Sequence, residues 1–112
     1  MSEATCSGVA ERMRVAASRA TGLLRILANE ERLLLLCQLA EGPRCVGELE
    51  RLLDIRQPTL SQQLGVLRKS GLVDTRREGK SIHYRLASAE ARALIEHLYR
   101  QFCLEERSSD AY

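Results

Sequence analysis

The segment of residues 49–72, LERLLDIRQPTLSQQLGVLRKSGL, constrains the fold more than any other part of the chain. Apolar residues at helical spacing predict a short helix over about residues 45–54 and a second helix that starts at Pro58, because proline is favoured in the first turn. Gly71 followed by Leu72 is typical of a helix end, where glycine adopts the left-handed conformation and the next apolar residue contacts the helix. The segment therefore predicts two short helices joined by a tight link.

The segment that follows, LVDTRREGKSIHYRLAS, is typical of a β-hairpin. If the turn centres on Glu78 and Gly79, Thr75 lies opposite Ile82, and the apolar residues of both strands share one face. Cations occupy the solvent side and the tip. Two short helices followed by a basic hairpin are typical of a winged helix-turn-helix.

Three further helices are predicted around this unit. Apolar residues three and four apart predict a helix from Val9, Asn29 is a plausible N-cap for a helix that stops at Gly42, and a last helix starts near Ser88. The expected order is α-α-α-α-β-β-α, which is mainly α with a β-hairpin wing.

The length of 112 residues fits one small domain, expected over residues 9–107, with flexible tails at residues 1–8 and 108–112. No apolar run approaches the roughly 20 residues needed to cross a bilayer, and the N-terminus lacks the apolar stretch of a signal peptide. We therefore expect a cytoplasmic protein with no membrane contact. In such a protein we expect the four cysteines to be reduced, reactive or metal-binding rather than permanently bridged.

Positive charge is concentrated in one part of the chain. The net charge is only +2, but residues 56–85 hold seven cations and two anions, a balance of +5. Such a concentration predicts a surface for a polyanion, although a solvated basic hairpin is an alternative. The cations are Arg56, Arg68, Lys69, Arg76, Arg77, Lys80 and Arg85.

The second helix of the pair has the polar chemistry of a DNA-recognition helix. Glutamine can pair with an adenine edge, and serine or threonine can contact bases or phosphates. We expect Arg56, Arg68 and Lys69 to contact phosphates, and the hairpin cations to reach an adjacent groove or backbone. Two alternatives remain, a polar helix facing solvent and a winged helix that binds a protein. The polar candidates are Gln57, Thr59, Ser61, Gln62 and Gln63.

Three segments of the sequence resemble the ArsR/SmtB winged-helix repressors, namely NEERLLLLCQLAEG, ELERLLDIRQPTLSQQLGVLRKSGLV and TRREGKSIHYRL. The resemblance covers about residues 20–104. It implies a homodimer built by the first and last helices, with two recognition helices in successive major grooves of an imperfect palindrome in double-stranded DNA.

Two metal-site patterns of this family are broken here. In the first, Cys45 is present but Gly47 stands where a second cysteine is needed, and a lone thiolate is a poor soft-metal site. In the second, the last helix offers Glu90, Glu96 and His97 without the other ligands of the family's zinc site. We therefore expect no metal and no cofactor, although an arsenite-type or soft-metal repressor using cysteine thiolates stays open as an alternative.

A third pattern is present. Cys37 and Cys103, 66 residues apart, match the cysteine pair of the branch similar to BigR, SqrR and HlyU, which senses persulfides and related reactive sulfur. The resemblance implies a di- or polysulfide bridge between these residues that weakens operator binding. Inert core cysteines are the competing interpretation. Cys6 and Cys45 match nothing in this branch.

No feature of the chain favours an enzyme. The sequence has no Cys-x-x-Cys motif, no catalytic-triad pattern and no glycine-rich phosphate loop. A DNA-binding repressor, switched by reactive sulfur, is therefore the function that the sequence predicts.

Overall fold

The computed structural model describes residues 2–103, with side chains from residue 8 onward. Five helices and a three-stranded antiparallel sheet of order β1-β3-β2 confirm the predicted winged helix-turn-helix. Within these residues no helix is long and apolar enough to cross a membrane. The elements are α1 Ser2–Leu27, α2 Glu30–Ala40, β1 Arg44–Cys45, α3 Val46–Leu53, α4 Thr59–Lys69, β2 Val73–Glu78, β3 Ser81–Leu86 and α5 Ala89–Phe102.

The core is built mainly from leucine, and α2 lies at its centre. Leu35, Leu36 and Leu39 of α2 are almost completely inaccessible to solvent. The helices α1, α3, α4 and α5 and the strand β3 all pack against α2. Burying each such leucine contributes about 1.5–3 kcal/mol, so packing on α2 accounts for much of the domain's stability.

Three predicted helix ends are confirmed, at the starts of α2 and α5 and at the end of α4, whereas α4 begins at Thr59 with Pro58 as its N-cap. The side chain of Asn29 accepts a hydrogen bond from the Arg32 N–H at 3.0 Å, and Ser88 caps α5 in the same way. After α4, Gly71 has a φ of 81° and the Leu72 N–H donates to the Leu67 carbonyl at 3.0 Å. This Schellman motif turns the chain sharply out of α4 and into β2.

The register of the hairpin corrects the sequence-based prediction. Thr75 pairs with Tyr84 rather than Ile82, and Glu78 pairs with Ser81, so the turn lies one residue later than expected. The first residue of this two-residue turn is Gly79, whose φ of 65° suits glycine. A register shift of two residues keeps every side chain on its own face, so the alternation of apolar residues did not distinguish the two registers.

Two further features differ from the prediction. The two-residue strand β1 was not predicted; it pairs with β3 through Arg44 with Tyr84 and Cys45 with His83. Helix α1 begins at Ser2 rather than Val9, because residues 2–8 carry too few apolar side chains for a periodicity to register. The tail expected at residues 108–112 lies outside the described residues.

Both terminal helices have exposed apolar side chains. On α1, Met13 is 66% exposed and Leu24 is 53% exposed. On α5, Phe102 is 66% exposed and Tyr99 is 41% exposed. These faces find no cover within the described part of one chain, and their burial would require another molecule.

The central position of α2 predicts an unequal effect of two leucine substitutions. Leu35→Ala is expected to lower the free energy of unfolding by about 2–5 kcal/mol, because it leaves a cavity among buried leucines. Leu52→Ala on α3 is the matched control; its side chain is 54% exposed, and we expect a loss below about 0.5 kcal/mol. Urea denaturation followed by circular dichroism measures both, and equal losses would contradict the assignment of α2 as the centre of the core.

Candidate nucleic-acid interface and thiol pair

Helix α4 presents a polar face to solvent because its three leucines point inward. Leu60, Leu64 and Leu67 are buried, whereas Ser61 and Gln62 are exposed. Thr59 is half-buried in the first turn. The exposed cations that flank this face are Arg56, Arg68 and Lys69.

Gln57 precedes α4 and caps it. Its side-chain Oε1 accepts a hydrogen bond from the Ser61 N–H at 3.0 Å. The side chain is exposed, and its amide nitrogen has no hydrogen-bond partner among the described residues. Gln57 therefore fixes the start of α4 while keeping two N–H donors available.

Gln63 is placed differently from the other polar candidates, because it contacts the start of α2. Its Nε2 donates to Asn29 Oδ1 at 3.2 Å and to Glu31 Oε1 at 2.9 Å, and its Oε1 accepts from Arg32 Nη1 at 3.1 Å. Both amide donors are thereby used. The structure therefore gives Gln63 partners inside the protein and a role in holding α4 against α2.

The positions of the leucines in α4 indicate this role of Gln63. Gln63 lies three residues after Leu60 and four before Leu67, so it borders the buried stripe of the helix. Arg32 completes the network by donating from Nε to the Ile26 carbonyl at 2.7 Å. The end of α1, the start of α2 and the middle of α4 are thus joined by hydrogen bonds.

In the wing, one of the predicted DNA-contacting cations is already paired. Arg85 Nε donates to Asp74 Oδ1 at 2.8 Å and Arg85 Nη2 to Asp74 Oδ2 at 3.3 Å, across the paired strands. This bidentate contact lowers the pKa of Asp74 below its ordinary value. Arg76, Arg77 and Lys80 are exposed toward the tip of the hairpin.

Strand β1 connects the wing to the start of α3. Cys45 lies opposite His83 of β3, and the Cys45 N–H donates to Glu48 Oε1 at 2.9 Å. Hydrogen bonds from the Cys45 backbone and side chain lower the pKa of the Glu48 carboxyl. The Nδ1 atom of His83 is buried without a hydrogen bond and lies 3.8 Å from Glu78 Oε1. Cys45 therefore belongs to the junction of wing and α3.

Cys37 lies on α2, and Cys103 lies at the end of α5. Cys37 is half-buried beside the core, whereas Cys103 is exposed at the C-cap of α5. Burial raises the pKa of the Cys37 thiol, and the negative charges of Cys103 and then Glu41 raise it further. Both thiols are free, and the helices that carry them pack against each other.

The described side chains contain no group of three or more His, Cys, Asp or Glu residues that could hold a metal ion. Cys45 lies at the wing junction, and His97 is exposed on α5. The side chain of Cys6 lies outside the described residues.

Comparison with known proteins agrees with the winged helix-turn-helix geometry. The profile of the family described as "Bacterial regulatory protein, arsR family" matches residues 29–75. The chain is 63% identical over 86 residues to the "Biofilm growth-associated repressor" of Agrobacterium fabrum, an alignment that covers 77% of this chain and 74% of that protein.

Two solved structures are similar throughout most of the domain. The crystal structure of the transcriptional repressor BigR from Xylella fastidiosa has a TM-score of 0.80 and 52% identity, covering 86% of this chain and 95% of that one. Reduced HlyU from Vibrio cholerae has a TM-score of 0.79 and 43% identity, covering 83% and 98%.

Alanine substitutions of the adjacent Gln62 and Gln63 of α4 are expected to change different properties of the protein. Gln63→Ala should lower the free energy of unfolding by about 1 kcal/mol, because it removes three hydrogen bonds to half-buried partners. Gln62→Ala should leave stability unchanged and lower DNA affinity by about tenfold, through a lost base contact. Urea denaturation and fluorescence anisotropy measure these effects, with a duplex selected from a random library by the wild-type protein. A stability loss in Gln62→Ala alone would reverse the two assignments.

Proposed function

This chain belongs to the arsR family of bacterial regulatory proteins, and we propose that it is a homodimeric repressor that reactive sulfur releases from DNA. The observation that carries the proposal is the placement of two free thiols, Cys37 on the central helix α2 and Cys103 at the end of α5, which packs against α2. In this proposal the reduced protein binds its operator, and the bridged protein does not.

The DNA surface consists of α4 and the wing. Gln62 and Ser61 reach base edges, while Gln57 and Thr59 act at the start of the helix. Arg85 orients the wing through its pair with Asp74. Phosphate contacts come from Arg56, Arg68, Lys69, Arg76, Arg77 and Lys80.

The dimer forms through α1 and α5. Both helices carry exposed apolar side chains, and a groove of about 960 Å³ lies along them, with Ala16, Ala20, Leu23 and Leu94 among its lining. A second copy of the chain covers these faces. A two-fold dimer then places two α4 helices about 34–36 Å apart, in successive major grooves of an imperfect palindrome.

The chemistry begins at the exposed thiol. The Cys103 thiolate attacks the outer sulfur of an organic persulfide, RSSH, to form a Cys103 persulfide and release the thiol RSH. The Cys37 thiolate then attacks Cys103 Sγ, and hydrogen sulfide leaves as the Cys37–Cys103 disulfide forms. Two thiols lose two electrons, which reduce the sulfane sulfur to sulfide.

A longer bridge follows from the same reactions. If a second donor first converts Cys37 to its persulfide, attack of its terminal sulfur on Cys103 Sγ gives a trisulfide, and hydrogen sulfide again leaves. Such a chain joins thiols that are too far apart for a direct disulfide, which requires Cα atoms within about 7 Å.

The order of attack follows from the surroundings of the two thiols. The raised pKa of Cys37 leaves little thiolate at neutral pH, and the half-buried side chain is less accessible than Cys103. Cys103 therefore meets the donor first, and Cys37 resolves the intermediate.

The bridge reaches the DNA surface through α2. A covalent link between α2 and the end of α5 changes how these helices pack, and the hydrogen bonds of Gln63 with Asn29 and Arg32 couple α2 to α4. Operator and bridge thus favour different arrangements of the same helices, which is the requirement for a two-state switch.

Treatment with an organic persulfide is expected to weaken DNA binding by at least about tenfold, and reduction should restore it. Intact mass spectrometry should show a loss of two hydrogens, or that loss combined with a gain of whole sulfur atoms. Cys37→Ser and Cys103→Ser should stay bound to DNA after treatment, whereas Cys45→Ser, the matched control, should behave like the wild type. Hydrogen peroxide serves as the oxidant control.

Release of DNA by stoichiometric arsenite, with no response to persulfide, would instead establish the metalloid-responsive alternative.

The reactivity of Cys37 is expected to rise at a higher pH in the folded protein than in the denatured chain. The reactive form is the thiolate, and burial with negative neighbours disfavours it, so deprotonation requires a higher pH than for the same cysteine in the denatured chain. Iodoacetamide alkylation of a variant in which Cys37 is the single cysteine measures the pH–rate profile. Adding Glu41→Gln to this variant should move its midpoint to lower pH, since it removes one negative charge. Coinciding midpoints for the folded and denatured chains would contradict the assigned environment.

A further inference from the structure

We propose that the cavity beside Cys37, between α2 and α5, is a binding site for the sulfur donor and selects a small zwitterionic amino-acid persulfide, such as that of cysteine. The inference rests on the proposed function, because it identifies the donor that delivers sulfur to the same two thiols. It goes further by assigning recognition to residues that are neither thiols nor DNA contacts.

The cavity has the size and apolar lining of a site for a small metabolite. Its volume is about 350 Å³, at the lower end of the roughly 300–1,000 Å³ found for small-molecule sites. Ala40 of α2 and Ile95 and Tyr99 of α5 supply apolar lining beside the Cys37 thiol. An S–S–CH₂ group fits such a surface, since sulfur and methylene are both poorly hydrated.

The charged lining residues match a zwitterion. Glu41 and Glu96 supply two carboxylates and Arg100 a guanidinium, all on exposed side chains. Arg100 suits an α-carboxylate, because guanidinium and carboxylate form paired hydrogen bonds, and the carboxylates suit an α-ammonium.

A neighbouring arginine is already engaged elsewhere. Arg92 donates to the Ala40 carbonyl at 3.2 Å and lies 4.0 Å from Glu96, so it ties α5 to the end of α2. Arg100, two turns further along α5, has no ion-pair partner among the side chains that the structure describes. It is therefore the cation that the cavity offers to a ligand.

The same charges disfavour other donors. An inorganic disulfide anion has no ammonium for the carboxylates and no carboxylate for Arg100, so it makes fewer contacts in the cavity. A tripeptide persulfide carries a second carboxylate, for which the cavity lining has no second guanidinium. A single amino acid with one charge of each sign satisfies both kinds of group.

The site also presents the sulfur to both thiols. The Cys103 N–H donates to the Tyr99 carbonyl at 2.8 Å, so Cys103 follows the cavity-lining Tyr99 by one helical turn. A donor held by its ammonium and carboxylate therefore carries its sulfane sulfur between Cys103 and Cys37. Cysteine leaves when Cys103 takes the outer sulfur, and hydrogen sulfide leaves when Cys37 closes the bridge.

The test compares three donors on the reduced full-length protein under anaerobic conditions, using quenched-flow mass spectrometry to follow bridge formation. Cysteine persulfide should react at least about tenfold faster than glutathione persulfide or sodium disulfide, with a rate that saturates with concentration. Arg100→Gln and Glu96→Gln should each remove most of that preference, and circular dichroism verifies that both variants fold. Arg51→Gln, at an exposed arginine outside the cavity, is the matched control.

A second measurement needs no sulfur transfer. S-methylcysteine is a zwitterion that cannot donate sulfur, and it should slow iodoacetamide alkylation of Cys37 in the wild type but not in Arg100→Gln. Equal rates for all three donors, together with no protection by S-methylcysteine, would overturn the donor site while leaving the sulfur switch intact. Failure of every donor to form a bridge would instead overturn the proposed function and this inference with it.

Discussion

The burial of α2 is the interaction on which the rest of the domain depends. Leu35, Leu36 and Leu39 are buried, and α1, α3, α4, α5 and β3 each pack against the helix. A helix surrounded in this way cannot shift without repacking several contacts, because protein interiors are close-packed and deform between discrete arrangements. A change on α2 is therefore transmitted to all of its neighbours.

Hydrogen bonds connect the two ends of α2 to different helices. At the start of α2, Asn29 and Arg32 hold Gln63 of the recognition helix. At its end, the Ala40 carbonyl accepts a hydrogen bond from Arg92 of α5. Cys37 lies between the two ends, so the proposed sulfur chemistry and the proposed DNA surface share a single rigid element.

Much of this arrangement was predictable from the sequence, because it rests on local rules. Leucine spacing identified the helices, Asn29 and Ser88 identified caps, and Gly71 identified the end of α4. What the sequence did not reveal depends on tertiary contact. The strand β1 is too short to produce a pattern, and a hairpin register shifted by two residues leaves every face unchanged. The partners of Gln63 lie about 30 residues away in the chain, and only the packing of α4 on α2 brings them together.

The two residues of β1 have a consequence for how such a protein diversifies. By pairing with β3, β1 joins the wing to the first turn of α3, so the chain from Arg44 to Leu86 forms one continuous unit containing α3, α4 and the hairpin. Both members of the proposed thiol pair lie outside that unit, one before it and one after it. Under the proposed function, the residues that set the preference for a DNA sequence and those that respond to a chemical signal therefore lie in separate stretches of sequence. Mutation can alter what the protein reads on DNA while leaving intact the chemistry to which it responds.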